Sequence, residues 1–493
     1  MTIIRRLLIC LTGVALLTGA VSQTAVALPD KGTMPASLQQ VLTARRVPAD
    51  SYGIYVQELG AAEPLLRISA SRAFNPASTA KLLTTWLALE VLGPTYTWPT
   101  DAYLNGTLER GTLRGDLILK GYGDPYFITE RLWQFQNQLR MRGLRTIDGD
   151  LVIDNSYFVD EHGDPSDFDG RGSRVYNVLP DAMLVNFQSV EVHVLPDKMR
   201  QTVRVVAEPM PSNLVIENRL KDGKGSCWAS IETSQAMKYD RLVVAGTYRP
   251  NCNEFSAPRA VLTAPAYAYG VFRTLWEDSG GAITGEFRQQ SVEEASNSAD
   301  SALADSAAPS PEPFLRVMSP PLADIITYIN KYSNNVMARN LFLTLGAKAF
   351  GPPATLAKAR RATNEALRER GFNFQELYVD NGSGLSRKDR ISAQSMAQIL
   401  LAAAKRPWAP EFISSLSLTG MDGTMRKRFK TESLAGQAHF KTGTLNGVAA
   451  AAGYVHARSG RTYVVVIMLN YPGASYGPGQ EAQNALIRWV YEK

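Results

Sequence analysis

The sequence predicts an α+β protein in which helices pack on an antiparallel five-stranded sheet and β-rich domains are inserted in the chain. Strand-like segments occur near both ends of the chain, and a mostly helical block lies between about residues 322 and 406. Residues from about 100 to 313 show short alternating apolar runs instead. Because strands that are distant in sequence can share a sheet, we expect the two chain ends to form a single domain.

The N-terminal elements are predicted to be a hairpin followed by a helix. Residues 52–59 and 65–70 are typical of two strands around a turn. From Ser78 onward, a dense apolar run predicts a buried helix that ends at Gly93 and Pro94.

The later elements complete the sheet and cover it. Helical periodicity is found over residues 323–345, 356–370 and 393–405. Three strands are predicted over residues 437–442, 447–456 and 461–470, and a closing amphipathic helix over 481–491.

Composition excludes several classes of protein. The 493 residues include 52 Lys and Arg against 46 Asp and Glu, with 45% hydrophobic residues, three Cys and four His. This apolar content is that of an ordinary globular protein, and three Cys exclude a four-thiolate zinc site. The mild charge, without a basic run interleaved with aromatics, argues against nucleic-acid binding. No metal or cofactor is predicted, and the few His disfavour catalysis built on imidazole.

The first 27 residues are typical of a secretory signal peptide. Arg5 and Arg6 precede an apolar run, and residues 25–27 form a small-x-small cleavage site. The apolar run is too short for a good membrane span, so we expect a periplasmic protein with no transmembrane segment after cleavage. An uncleaved anchor is the alternative. Cleavage would lower the formal net charge from +6 to +4.

Two cysteines, Cys227 and Cys252, remain after cleavage. In an oxidising compartment they could form a disulfide that closes a loop of about 25 residues. The alternative interpretation is two unrelated buried thiols.

Three short motifs occur in order along the chain: Ser78-Thr-Ala-Lys81, Ser333-Asn-Asn335 and Lys441-Thr-Gly443. Each alone recurs by chance in long chains. The first motif lies at the start of a predicted helix, the second within a helical segment and the third at a strand end. Together, the three motifs resemble the signature set of active-site-serine penicillin-recognising enzymes.

The motifs also predict a division of chemical roles. One helical turn brings Ser78 and Lys81 to the same face. A buried lysine beside other cations has a lowered pKa and can act as a general base toward a serine nucleophile. Ser333 would relay the proton to the leaving amine, and Lys441 would supply positive charge.

A second set of residues is predicted to bind the substrate. Asn335 would hold the amide backbone, and the Thr442 and Thr444 hydroxyls would bind a carboxylate. Gly443 would let the substrate chain approach the strand edge. The N–H groups of the nucleophilic serine and of Thr444 would form the oxyanion hole.

The resemblance extends to further segments. The chain is similar to the class C low-molecular-mass penicillin-binding proteins, the D-alanyl-D-alanine carboxypeptidase/endopeptidase family. About 250 residues separate the first two motifs, a family trait that distinguishes it from β-lactamases. The segment that ends in Ser-Gly-Leu-Ser-Arg387 lies near the cleft in that family, which implies a substrate-anchoring role for Arg387. The similar segments are residues 117–125, 319–322, 380–387 and 420–425.

The resemblance implies a penicillin-binding transpeptidase-like domain and a cell-wall substrate. The enzyme would remove the terminal D-Ala of peptidoglycan stem peptides, or cleave cross-links, and penicillins would acylate the same serine. The implied domains are a catalytic domain of residues 28–98 and 314–493, an inserted second domain of 99–160 and 265–313, and a nested third domain of 161–264.

Three other classes of protein compete with this interpretation. A β-lactamase-like hydrolase is suggested by Glu369-Arg-Gly-Phe-Asn373, although Glu369 falls at a predicted helix end. A Gly-x-Ser-x-Gly pattern around Ser475 lacks the downstream His of an α/β-hydrolase. A non-catalytic cell-wall binding protein is the third. Asp154 is interpreted as the end of a strand. The acidic stretch that begins at residue 160 is interpreted as a solvated loop, and residues 291–312 are interpreted as a surface loop.

Overall fold

The described part of the chain covers almost all of the predicted elements. The computed structural model describes residues 29–159, 163–221, 227–233, 240–294 and 312–493. The expected leader, the start of the acidic stretch and most of the 291–312 loop lie outside the described residues. No helix within the described ranges is both long and apolar enough to cross a bilayer.

Helices and strands alternate in blocks along the chain. The helices are α1 (Ala36–Ala44), α2 (Ala80–Leu92), α3 (Thr129–Met141), α4 (Ala264–Asp278), α5 (Leu322–Lys331), α6 (Asn335–Phe350), α7 (Leu356–Glu369), α8 (Ala393–Ala403), α9 (Ala409–Ser414) and α10 (Pro478–Tyr491). The strands of the first half are β1 (Tyr52–Glu58), β2 (Leu66–Ile68), β3 (Ala73–Phe74), β4 (Pro99–Glu109), β5 (Thr112–Gly121), β6 (Thr146–Asp148), β7 (Leu151–Asp154), β8 (Ser189–Asp197), β9 (Thr202–Glu208) and β10 (Val215–Lys221). Those of the second half are β11 (Trp228–Thr233), β12 (Arg241–Thr247), β13 (Phe255–Ala260), β14 (Ala282–Ile283), β15 (Phe287–Gln289), β16 (Leu315–Met318), β17 (Ile391–Ser392), β18 (Ser417–Leu418), β19 (Ala438–Leu445), β20 (Val448–His456) and β21 (Thr462–Asn470).

The two chain ends build one antiparallel sheet, which confirms the predicted fold class. Its strand order is β18-β19-β20-β21-β1-β2, so the sheet has six strands and the prediction of five was one short. The extra strand, β18, is only two residues long and pairs with the His439 and Phe440 end of β19. Two residues give no readable alternation, so the sequence pattern could not reveal them.

Both faces of this sheet are covered by apolar packing. One face carries α2, α5 and α8, with Trp86, Ile325 and Ile399 among the fully buried side chains. The other face carries α1 and α10, where Leu486 and Ile467 belong to a separate buried cluster. This sandwich makes β19 and α2 neighbours, which positions the site described below.

The predicted single helix over residues 323–345 is wrong in one respect. The structure breaks it into α5 and α6 at Ser333, whose φ of +58° is left-handed. Asn334 is the N-cap of α6, and its side chain accepts a hydrogen bond from the Met337 N–H at 3.1 Å. Apolar periodicity continues on both sides of the break and hides it in the sequence.

Within the described ranges, the inserted residues form three further sheets and contain helices α3 and α4, which the sequence pattern did not predict. One sheet has the order β14-β6-β5-β4-β16, with β7 joining β5 to β15, and the other two have the orders β13-β8-β9 and β10-β12-β11. Strands β6 and β7 both pair with β5 in parallel, and α3 and α4 pack on this apolar core.

The inserted sheets share one continuous buried cluster, which includes Leu151 of the first sheet, Val192 of the second and Val244 of the third. The predicted boundary between the second and third domains stays a prediction. A disulfide joins Cys227 to Cys252, with their Cα atoms 5.8 Å apart.

Candidate active site

Ser78 lies on a tight turn that leads into α2. The 3₁₀ turn spans Ala77–Thr79, and Ala77 has a left-handed φ of +45° although it is not glycine. Such a backbone is kept only where the surroundings hold it. Here the Ala77 N–H donates to Asn75 Oδ1 at 2.8 Å, and the Asn75 N–H donates to Asn470 Oδ1 at 2.7 Å. The turn that carries the serine is therefore held by two successive hydrogen bonds that link it through Asn75 to Asn470.

Lys81 lies one helical turn after Ser78, and its side chain points toward the serine hydroxyl. Its Nζ donates to Ser78 Oγ at 3.2 Å and to Asn335 Oδ1 at 2.6 Å, and also to the Ser383 carbonyl. The side chain is fully buried. The predicted serine–lysine contact is present. The loop that contains Ser383 also holds the Lys81 amine, in addition to α2 and α6.

The electrostatic surroundings of Lys81 favour its neutral form. Burial lowers the pKa of this amine well below its usual value, and the nearby charges of Lys441 and Arg339 lower it further, while Asp389 acts in the opposite direction. Asp389 is itself buried, which raises the pKa of its carboxyl to about 7. A lysine in this setting can accept a proton from a serine hydroxyl.

The second serine–lysine pair faces the first. Lys441 on β19 donates to Ser333 Oγ at 2.9 Å and to its neighbour's carbonyl, Thr442 O, at 2.8 Å. Burial lowers the pKa of Lys441 to about 7. The left-handed turn at Ser333 brings this hydroxyl to the strand, so the break between α5 and α6 belongs to the site.

Asn335, the first residue of α6, connects the site to the inserted domains. Its Oδ1 accepts from Lys81, and its Nδ2 donates to the Tyr176 carbonyl at 2.9 Å. One turn along α6, Arg339 donates to the Val178 carbonyl at 2.7 Å. The insertion therefore contacts the helix that carries the second motif.

Two glycines allow backbone to approach the nucleophile. A Cβ at Gly443 would lie 2.8 Å from Ser78 N and 2.7 Å from Pro76 O. We expected Gly443 to make room for substrate, but the space that its missing side chain leaves is filled by the Ser78 turn. Gly384 has a φ of +79°, and a Cβ there would lie 1.9 Å from the Ala77 carbonyl oxygen.

We expect Gly384→Ala to lower the rate of penicillin acylation by about 100-fold, because the methyl group must displace the Ser78 turn. Gly371→Ala is the matched control. Its φ of +80° imposes the same backbone strain of about 1–2 kcal/mol, but no atom lies within 4 Å of the new methyl group. Stopped-flow acylation and thermal melts of both variants make the comparison. Equal acylation rates in the two variants would show that the contact with Ser78 is unimportant.

Thr442 and Thr444, the threonines predicted to bind a carboxylate, lie on the face of β19 that points away from α2. Side chains alternate along a strand, so Thr442 and Thr444 point away from the face that Lys441 and Gly443 present to α2. The Thr442 hydroxyl donates to Thr424 Oγ1 at 2.8 Å, and Thr444 is exposed.

Arg387 lies at the rim of the site. Its Nη1 donates to the Asn446 carbonyl at 2.9 Å, beyond the end of β19, and its guanidinium is 5.1 Å from the ring centre of Phe168 in the insertion. It lines a pocket of about 450 Å³ together with Asp380 and Asn381.

Three further residues raised by the sequence are not in the site. Glu369 ends α7 with its side chain exposed near Arg370, so no deacylating carboxylate comes from this position. Asp154 is buried at the end of β7 and pairs with Lys120 at 3.1 Å. Ser475 lies in the turn between β21 and α10, where its Oγ accepts from the Gly447 N–H.

Sequence reasoning missed Arg339, Asp389 and the Ser383 carbonyl as neighbours of Lys81. The signal for Arg339 was available, because it lies four residues after Asn335 on the same helical face. No local pattern predicts that Asp389 and the Ser383 carbonyl lie near Lys81, because they belong to a loop about 300 residues later in the sequence. Among the described residues, no group of three or more His, Cys, Asp or Glu side chains is placed to hold a metal ion.

A serine in contact with a buried lysine, opposite a second serine–lysine pair and an asparagine, defines the class of active-site-serine penicillin-recognising enzymes. The chain belongs to the D-Ala-D-Ala carboxypeptidase 3 (S13) family, whose model matches residues 34–493. It is a serine-type D-Ala-D-Ala carboxypeptidase, which confirms the predicted family and enzyme class.

Several characterised proteins are similar to it. It is 27% identical over 433 residues to the D-alanyl-D-alanine carboxypeptidase of Actinomadura sp. (strain R39), covering 85% of this chain and 78% of that protein. It is 23% identical over 435 residues to the carboxypeptidase DacB of Haemophilus influenzae, covering 87% of each. The crystal structure of penicillin-binding protein 4 from H. influenzae matches with a TM-score of 0.75 at 21% identity, over 93% of this chain and all of that one.

Proposed function

We propose that this carboxypeptidase acts through an acyl-enzyme on Ser78, with Lys81 as the general base. The observation that carries the proposal is the 3.2 Å contact between Lys81 Nζ and Ser78 Oγ in a buried setting that lowers the pKa of the amine. Ser78 Oγ bonds to the carbonyl carbon of the penultimate D-Ala while its proton moves to Lys81. The Ser78 and Thr444 N–H groups are the oxyanion donors in this proposal.

Ser333 and Lys441 serve the departure of the terminal D-Ala. The proton passes from Lys81 through the Ser333 hydroxyl to the amide nitrogen, and the carbon–nitrogen bond breaks to release free D-Ala. The 2.9 Å contact between Lys441 and Ser333 supports this relay. A water then attacks the ester, the acyl–oxygen bond breaks, and Ser78 regains its proton.

Substrate recognition is assigned to the groups around this pair. Asn335 holds the substrate amide after exchanging its hydrogen bond with the Tyr176 carbonyl. Thr442 and Thr444 receive a carboxylate, Gly443 keeps the strand edge close to the serine, and Arg387 anchors the stem peptide from the rim of the adjacent pocket.

The natural substrate in this proposal is the peptidoglycan stem peptide, with cross-link cleavage as a second activity. A solved structure similar in fold, with a TM-score of 0.50, is a predatory peptidoglycan endopeptidase from Bdellovibrio bacteriovorus. The H. influenzae protein has been solved in complex with a β-lactam, which supports β-lactams as covalent inhibitors here.

A cleaved leader would deliver the enzyme to the periplasm, and the Cys227–Cys252 disulfide suits an oxidising compartment. The proposal requires no cofactor.

Intact-mass analysis after incubation with benzylpenicillin, followed by peptide mapping, tests the proposal. We expect one adduct per chain, located on the peptide that contains Ser78 and released slowly. Rapid turnover of penicillin would favour the β-lactamase-like alternative. A protein that neither forms an adduct nor releases D-Ala would be the non-catalytic wall-binding alternative.

The pH dependence of acylation follows from the two lysines. The rate needs neutral Lys81, whose lowered pKa supplies the acid limb, and charged Lys441, whose pKa of about 7 supplies the alkaline limb. We therefore expect a bell-shaped profile that falls as the pH rises through about 7. In Lys441→Arg the alkaline limb should move beyond the measurable range, because the guanidinium keeps its charge. An unchanged limb in this variant would contradict the assignment.

A further inference from the structure

Three stacked tyrosine rings form a row that begins beside Ser333. Tyr328 lies in the last turn of α5 and Tyr332 directly follows that helix, so the two share one face, with ring centres 6.2 Å apart and ring planes 27° apart. Tyr126, from the loop after β5 in the insertion, stacks on Tyr328 with its ring centre 4.3 Å away. The proposed mechanism uses none of these three rings.

The row is open to solvent at the end nearest the active site. Tyr332 is 67% exposed and Tyr328 is 37% exposed, whereas Ile325 and Ile329 on the inner face of α5 are fully buried. Single exposed apolar side chains are ordinary, but exposed aromatic rings in contact with one another are typical of a binding surface. The row is therefore a candidate binding surface.

Both ends of the row are held in place by hydrogen bonds. In the last turn of α5, buried Asn330 donates from Nδ2 to Ser415 Oγ at 2.9 Å. In the insertion, the Tyr126 N–H donates to the buried carboxylate oxygen Asp124 Oδ1 at 2.8 Å. A surface that is already ordered loses little conformational freedom when a ligand binds.

The position of Ser333 shows which part of a substrate the row would contact. In the proposed mechanism the Ser333 hydroxyl, held by Lys441 at 2.9 Å, delivers the proton to the scissile nitrogen. The departing group therefore lies beside Ser333. Tyr332 is the next residue in the chain, with its Cα about 3.8 Å from that of Ser333. The row thus begins on the leaving-group side of the site.

The size of the leaving group separates the two proposed substrates. Free D-Ala has one methyl group and one carboxylate, which is too little to extend along the row. In a direct cross-link, the scissile nitrogen ends the hydrocarbon side chain of a diamino acid, and the rest of a second stem peptide follows. Methylene groups and flat amides pack well on tyrosine rings, whose faces carry partial negative charge.

We infer that Tyr332, Tyr328 and Tyr126 form a subsite for the leaving half of a cross-linked stem peptide. The inference rests on the proposed function, and within it on cross-link cleavage as the second activity. The diamino-acid side chain packs on Tyr332, and the peptide that follows it continues toward the insertion. Binding of this remote part of the substrate favours cleavage of cross-links over removal of a single D-Ala.

The test compares a sugar-free dimer of directly cross-linked meso-diaminopimelate stem peptides with the monomeric pentapeptide that ends in D-Ala-D-Ala. Both contain the same acyl half, so only the leaving group differs. We expect Tyr332→Ala to lower the ratio of kcat/KM for the dimer to kcat/KM for the monomer by about 10-fold. Tyr332→Phe keeps the ring and should change this ratio less than about twofold.

Trp228→Ala is the matched control, because Trp228 is an aromatic residue that is 58% exposed and lies on β11, in a different sheet. It should leave the ratio unchanged. Tyr328→Ala provides a second variant that keeps the neighbour of Ser333 in place, and it should lower the ratio in the same direction as Tyr332→Ala.

Several outcomes would overturn the inference. Equal losses on dimer and monomer in the folded alanine variants would indicate a structural effect on Ser333, and an unchanged ratio would show that the row does not bind the leaving half. A loss seen only when the dimer carries its glycan would assign the row to the sugar instead. A wild-type protein that releases D-Ala from the monomer but leaves the dimer intact would also contradict it. If the wild type takes no penicillin label on Ser78 and cleaves neither peptide, the proposed function itself has failed.

Discussion

Ser78→Ala is expected to abolish penicillin labelling and to lower D-Ala release by at least about 10³-fold, because Ser78 Oγ is the hydroxyl that contacts the proposed base, Lys81, among the described residues. The loss should fall on kcat, since the groups that bind the substrate are untouched. The small side chain fits the 3₁₀ turn, which is held by Asn75 and Asn470, so the thermal melting temperature should stay near that of the wild type. Fluorescent penicillin on gels and D-Ala release both measure the effect.

Ser414→Ala provides the control, because Ser414 is an exposed serine at the end of α9. It should label and turn over like the wild type. Penicillin labelling that persists in Ser78→Ala, mapped to any other residue, would refute the nucleophile.

Lys81→Met is expected to slow acylation by about 10²- to 10⁴-fold, because a positioned general base typically accelerates a reaction by this factor. Methionine fills a similar volume in the buried site and removes an amine that is desolvated and repelled by Lys441 and Arg339. The variant should therefore be at least as stable as the wild type although it is nearly inactive. Because the base is gone, the acid limb of its pH profile should also disappear.

The matched control is Lys348→Met, at an exposed position near the end of α6. Second-order rate constants for benzylpenicillin between pH 5 and 9, together with thermal melts, give both quantities. Acylation of Lys81→Met within tenfold of the wild-type rate would mean that another group takes the serine proton.

Much of this protein was predictable because the relevant patterns are local. The helix that begins at the Ser78 turn, the strand that carries Lys441 and the closing helix all show in apolar periodicity within about a dozen residues. The contact between Ser78 and Lys81 is likewise local, since an i, i+3 spacing in a helix is enough to bring the two groups together.

Predictions failed where packing between distant segments overrides the local pattern. Ser333 was placed inside a continuous helix, whereas the Asn334 cap and a left-handed residue break it. The two-residue strand β18 exists only because a neighbouring strand offers it a partner. Helices α3 and α4 were missed among residues whose short alternating runs suggested strands throughout.

By itself, the sequence determined which chemical groups the enzyme has: the ordered motifs, the scarcity of histidine and the family resemblance name the serine, the lysines and the asparagine. Only the tertiary structure decided how they meet. Lys81 reaches Asn335 across 254 residues and Lys441 reaches Ser333 across 108. Periodicity specifies the faces of single elements, whereas the distance between two faces is set by how the whole chain packs, and that distance decides the pKa of a buried amine such as Lys81.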